Sequence, residues 1–149
     1  MADPIAKVVL DKNLLANLNA VSPRVKRAVM RPAFRKGAAL VAKNAKKKVP
    51  VRYGYLKKSI KSASSKRGEN GRVYVDPKKA YDEPRAHTKT GQVIPANYAH
   101  LVEFGTKTAS AHPFLRPALA ETKGAAMDAI TAEAKRQFDK QFQKGRTGV

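Results

Sequence analysis

The chain has 149 residues, room for one domain with a real core and too little for two. It holds no cysteine, which excludes a disulfide framework and a thiolate metal site. Its formal net charge is +20 and no acidic residue occurs between Lys12 and Gly68, so the surface repels itself unless nucleic acid or an acidic protein lies against it.

Residues 1–21 read as an arm ahead of the domain. Met1 to Lys7 lack the basic-then-apolar order of a signal peptide, and no apolar run approaches the length of a membrane span. A soluble chain released into a reducing cytoplasm, with no membrane partner, is therefore expected. Val8, Val9 and Leu10 suit a short strand, and Asp11 to Ala20 a short helix with Leu14, Leu15 and Leu18 on one side. Ser22-Pro23 is a helix start, because serine can cap free backbone N–H groups and proline loses nothing at the first helical position. From there to about Lys48, Met30, Ala33, Phe34, Gly37, Leu40, Val41, Asn44 and Ala45 recur at three- and four-residue steps and make one apolar face. Arg24, Arg27, Arg31, Arg35 and Lys46 recur on the opposite face, and Lys47 and Lys48 add to the charge. Pro32 lacks a backbone donor and should kink or divide the helix near Arg31.

Val49-Pro50-Val51 ends that helix, and Tyr53 to Ile60 reads as a turn with room for one helical turn. Strands are expected at about Ser59 to Lys66 and Gly71 to Asp76, because Arg67-Gly68-Glu69-Asn70-Gly71 between them has the composition of a hairpin turn. Residues 77–97 hold Pro77, Pro84 and Pro95, several charges and Thr88-Lys89-Thr90-Gly91, and read as a loop or an extended hairpin projecting from the body. Tyr98, Leu101, Val102 and Phe104 are packing candidates. Gly105 suits a backbone angle that a side chain would forbid. After a second loop at 105–113, Pro117 opens a last helix to about Gln143, with Leu119, Ala126, Ile130, Ala134 and Phe138 as its apolar stripe. Residues 144–149 are expected to form a flexible tail. The fold class expected is α+β: a small, mostly antiparallel sheet packed against the helix at 23–48 and the helix at 117–143, in one domain spanning 22–143.

Two stretches carry a resemblance. The first is Tyr98-Ala99-His100-Leu101-Val102-Glu103-Phe104-Gly105-Thr106, and the second is Ala111-His112-Pro113-Phe114-Leu115-Arg116-Pro117-Ala118-Leu119. Together they resemble the signature of the tail-completion, or head–tail joining, family of long-tailed (siphovirus-type) bacteriophages. Val49-Pro50-Val51-Arg52-Tyr53-Gly54-Tyr55-Leu56-Lys57-Lys58-Ser59-Ile60 is similar to an earlier stretch of the same family. The likeness covers roughly residues 23–140 in order, and 77–97 is longer than the family usually has there. It implies a structural virion protein of the neck, assembled in the host cytoplasm. The protein would form a ring, six-fold to match the tail tube, between a tail terminator or tube protein and a head connector or stopper protein. A tail terminator that sets tail length belongs to the same class.

Physically, the motif positions read as architecture. Phe104 and Phe114 are expected core anchors, while Pro113 and Pro117 stiffen the route into the last helix, beside Leu115 and Ala118. For Glu103 two readings stand: a hydrogen bond or salt bridge that orders a helix or loop, or a contact across a subunit boundary. His100 and Glu103, with His112, have a spacing that a metal could use, but isolated pairs of this kind are common. No phosphate-binding glycine loop is present, and neither Ser59 nor the Ser62–Ser65 cluster has a base and carboxylate nearby in sequence. No catalytic residue, cofactor or metal is therefore expected, and the chain reads as a non-enzyme. The basic face of the first long helix could follow a phosphate backbone or dock on an acidic protein. Aromatic residues are few and no stacking platform is visible in the sequence, so a nucleic-acid-binding protein that joins nothing is the alternative reading.

Overall fold

The computed structural model describes residues 12–83 and 88–146. The strand expected at Val8, Val9 and Leu10, and also His87, lie outside the described residues. Helix α1 (Lys12–Ala20) is followed by α2 (Pro23–Lys48), the short α3 (Tyr55–Ser59), strands β1 (Ile60–Ser64) and β2 (Gly71–Val75), and strands β3 (Tyr81–Asp82) and β4 (Gln92–Val93). A 3-10 turn at Pro95–Asn97, helix α4 (Ala99–Phe104) and the long α5 (Leu115–Arg146) complete the order. This is the α+β class expected, with two small antiparallel sheets, β1–β2 and β3–β4.

Helix α2 is the central element. Val29, Met30, Ala33, Phe34, Gly37, Ala38, Val41, Ala42 and Ala45 are buried along it, so its apolar face is wider than the sequence periodicity marks out. The breadth follows from having two neighbours, with α5 on one flank and the β1–β2 hairpin on the other. The helix starts at Pro23 as expected, but Ser22 makes no side-chain cap; its carbonyl accepts from the Lys26 N–H at 3.0 Å. Pro32 does not divide the helix, which is continuous from Pro23 to Lys48. The carbonyl that lacks a donor because of Pro32 belongs to Ala28, which is exposed.

Helix α5 runs antiparallel to α2. Asn44 donates to the Ala118 carbonyl near the start of α5, and Lys36 meets Glu133 farther along. Between these points the helices touch through small residues. A Cβ placed on Gly37 would lie 2.5 Å from Ile130 Cγ1 and 3.1 Å from the Ala126 carbonyl oxygen, so the approach of the two backbones depends on that glycine. Helix α5 begins two residues before the expected Pro117 and runs through 144–146, where a flexible tail was expected to begin.

Among the described residues two clusters make the core. One joins Leu14 and Leu18 of α1 to Val29, Met30, Ala33 and Phe34 of α2 and to Ile130 and Ala134 of α5. The second holds Ala42, Ala45, Val49, Leu56, Ile60, Phe114 and Ala118, with Tyr98, Ala99, Val102 and Leu115 packed against it. Thus the helix within the expected arm has a buried face, although Leu15 of that helix is 39% exposed. In the 77–97 segment Tyr81 pairs with Val93 and Asp82 with Gln92, an extended antiparallel arrangement of the kind anticipated there.

Candidate functional site

The motif residues converge on the corner between α4 and α5. Phe114 is the anchor, with no exposed surface, and Ala118 one turn on is equally buried. A helix start leaves its first N–H groups without intrahelical partners, and here they are those of Phe114, Leu115 and Arg116, because Pro117 has none. Glu103, only 6% exposed, satisfies all of them. Its Oε2 accepts from the Phe114 N–H at 2.8 Å and the Leu115 N–H at 3.0 Å, and its Oε1 accepts from the Arg116 N–H at 3.1 Å. The carboxylate also faces the positive end of the α5 dipole. Of the two readings of Glu103, the ordering hydrogen bond is the one realised within the chain.

Gly105 ends α4 with φ 77°, a left-handed angle that favours glycine. A Cβ there would stand 2.8 Å from the Ala111 backbone nitrogen, so the returning loop also needs the bare backbone. The Gly105 N–H donates to the Leu101 carbonyl at 2.8 Å, and the His112 N–H donates to the Val102 carbonyl at 2.8 Å. Thr106 organises the loop between them: its N–H donates to the Ala109 carbonyl at 2.9 Å and its hydroxyl oxygen accepts from the Ala109 N–H at 3.0 Å. Pro113 is exposed at the loop's end. With both Glu103 oxygens engaged by backbone, the suggested grouping with His100 and His112 is not formed. Among the described residues no three His, Cys, Asp or Glu side chains are grouped to hold a metal.

Three expected packing residues face outward instead. Phe104 is 60% exposed, Leu101 43% and Leu119 45%. Phe104 is therefore not a core anchor; the Arg116 guanidinium lies 4.4 Å from its ring centre and covers part of it. Leu101 precedes Phe104 by three residues on α4, and Leu119 follows Arg116 by three on α5, the spacing of neighbours on one helix face. The corner thus combines a buried, fully satisfied clip with an outward set of apolar side chains. Tyr98 is half-buried behind it, and burial raises its phenol above the usual range, with Tyr81 and Tyr55 adding smaller contributions.

The residues of the basic face separate into two groups. Arg24, Arg27, Arg31 and Arg35 are exposed along one side of α2. Lys46, Lys47 and Lys48 form the last turn, where positive charge is favourable at the negative end of the helix dipole. Lys48 turns toward α5 and pairs with Glu121 at 2.6 Å; together with the Asn44 amide it holds the Glu121 carboxyl below its ordinary value. Lys46 lines an open groove of about 410 Å³ between α2 and β1, with Lys43 and Lys61.

A stack of tyrosines was not legible in the sequence. The rings of Tyr53 and Tyr55 lie 5.8 Å apart and those of Tyr55 and Tyr81 4.7 Å apart, with Arg52 over Tyr53 at 5.3 Å. Tyr55 donates to Glu83 at 3.2 Å and Ser59 donates to the Tyr81 oxygen at 3.4 Å, so the stack ties the β3 segment to α3.

No helix among the described residues is long and apolar enough to cross a membrane. No curated protein and no solved structure matches the chain. One protein family does, over residues 12–105 of the 149, from α1 to the glycine that ends α4; its description reads "Bacteriophage HK97-gp10, putative tail-component". With a match over more than half its length, the chain belongs to this HK97-gp10-like family of phage tail components.

Proposed function

We propose that the chain is a structural neck protein that completes the phage tail and joins it to the head, working through geometry and not through catalysis. In this reading copies close into a ring, six-fold to match the tail tube. One face of the ring meets the tail terminator or tube protein and the other meets the head connector or stopper. A closed ring needs two different surfaces on each subunit, and repeated weak contacts become strong when presented together. The observation that carries the reading is the α4–α5 corner. A buried clip fixes the relation of two helices, while Leu101, Phe104 and Leu119 remain outward beside it, as suits a contact made only on assembly.

The test is electron microscopy of a lysate from phage lacking this gene, complemented with Phe104→Asp. Filled heads beside free tails of normal length are expected without the gene, and Phe104→Asp should fold yet fail to restore joined particles. Tails of irregular length would assign the protein to length termination instead. Normal infectious virions in the absence of the gene would overturn the proposal.

A further inference from the structure

We propose that the outward face of α2 and the turn between β1 and β2 form one binding surface for the phosphate backbone of duplex DNA, without sequence preference. This goes beyond the joining role and does not depend on it. Arg24, Arg27, Arg31 and Arg35 are spaced by three and four residues on one helix face. At a rise of about 1.5 Å per residue the row extends roughly 16 Å, and one DNA strand offers a phosphate about every 3.4 Å of axis. All four positions are arginine, whose planar fork matches two phosphate oxygens.

The hairpin enlarges the row. Gly68 lies against α2 so closely that a Cβ there would be 3.1 Å from Arg31 Cγ and 3.4 Å from Arg27 Cα. The turn is held by its own hydrogen bonds, with the Gly68 N–H donating to the Ser65 carbonyl at 3.1 Å and the Glu69 N–H donating to the Ser65 hydroxyl at 2.9 Å. Lys66 and Arg67, both exposed, are thereby brought beside Arg27 and Arg31. The acidic residue of the turn is Glu69.

Two further observations point to a polyanion. Some cations elsewhere are neutralised, as in Lys36–Glu133, Lys48–Glu121 and Lys61–Asp76, while among the described residues none of these six makes an ion pair, and the six stand together on one face. Among the described residues the exposed large apolar side chains are those of Leu15, Val51, Tyr53, Leu101, Phe104, Leu119 and Phe142, and none lies on α2 or the hairpin. Protein interfaces are built around an apolar or aromatic centre, which this face lacks. An acidic protein is therefore the poorer fit.

The test measures binding of the full chain to fluorescent 20-base-pair duplexes of two unrelated sequences, as a function of salt. Equal affinity for both duplexes is expected, with log Kd rising steeply against log salt. A variant carrying Arg24→Gln, Arg27→Gln, Arg31→Gln and Arg35→Gln should melt no lower than the native chain. Its salt slope should fall by about 4, at roughly 0.9 per lost phosphate contact, and its affinity at low salt by at least about 100-fold. A control with Lys78→Gln, Lys79→Gln, Lys123→Gln and Lys140→Gln removes the same charge from other exposed positions and should lose much less. Equal losses in the two variants would show that net charge alone attracts DNA and would overturn the site. So would a native chain that ignores duplex and binds polyglutamate through the same arginines.

Discussion

The α4–α5 corner and the outward face of α2 use charge in opposite ways. At the corner a single carboxylate is taken out of water and given three backbone donors, so its charge is consumed in shaping the chain. On α2 four guanidiniums stand in solvent with no carboxylate paired to them among the described residues. A satisfied buried charge adds rigidity and leaves nothing for a partner. An exposed, unpaired row adds no stability and remains available. The difference separates residues that make the shape from residues that meet something, and substitutions at the two places should separate in the same way.

The largest effect is expected at the corner's anchor. Phe114→Ala opens a cavity in a site with no exposure, and should lower unfolding free energy by about 3–5 kcal/mol, read from denaturant midpoints. Glu103→Ala should follow at about 2–4 kcal/mol, since three donors at a helix start lose a charged acceptor together. Full stability in Glu103→Ala would mean that water replaces the carboxylate and that the clip is not what fixes the corner.

Much of this was legible in the sequence. The long helix was marked by its three- and four-residue apolar steps, the β1–β2 turn by Gly68-Glu69-Asn70-Gly71, and the left-handed corner by Gly105. Phe114 was correctly placed inside. Phe104 and Leu101 were not placed correctly, because a helix of six residues such as α4 has too few turns for periodicity to identify its buried face, while Leu119 has the spacing of the α5 stripe and is exposed all the same. The ordering hydrogen bond of Glu103 was one of its two readings, but its partners were hidden by distance, being N–H groups eleven to thirteen residues ahead. The tyrosine stack joins Tyr55 to Tyr81 across two strands and a loop, a separation that no local pattern encodes. Pro32 does not divide the helix, and the carbonyl it leaves without a donor belongs to the exposed Ala28.

Glu133 is an intermediate case, a buried carboxylate whose cationic partners are exposed. It accepts from Arg136 and Gln137, each at 2.7 Å, and pairs with Lys36 at 3.1 Å. The Arg136 and Gln137 bonds, with a smaller contribution from Lys36, outweigh burial and hold its carboxyl down at about 2 from an ordinary 4.5. Because the folded value is the lower one, the stabilisation is complete above about 4.5 and drains away as pH falls toward about 2. Glu133→Gln should cost about 1–2 kcal/mol at neutral pH, discounted because Lys36 and Arg136 return to water. The difference between native and variant chains should shrink through that acid window in pH-dependent denaturation. A difference that stays constant from neutral pH to about 2 would show that shape, and not ionisation, is what Glu133 supplies.

The smallest effect should have the opposite sign. Arg27 stands four residues before Arg31 and three after Arg24, so two like-charge contacts on one helix face oppose folding by a few tenths of a kcal/mol each. Glutamine has nearly the helix propensity of arginine. Arg27→Gln should therefore raise stability by less than about 1 kcal/mol at low salt. The gain should vanish near 1 M salt, where screening acts within about 3 Å. Duplex DNA should reverse the ranking, because a ligand bound by the native row stabilises the folded chain that carries it. A loss of stability in Arg27→Gln at low salt would mean the row is compensated within the protein, and the contrast with the α4–α5 corner would no longer hold.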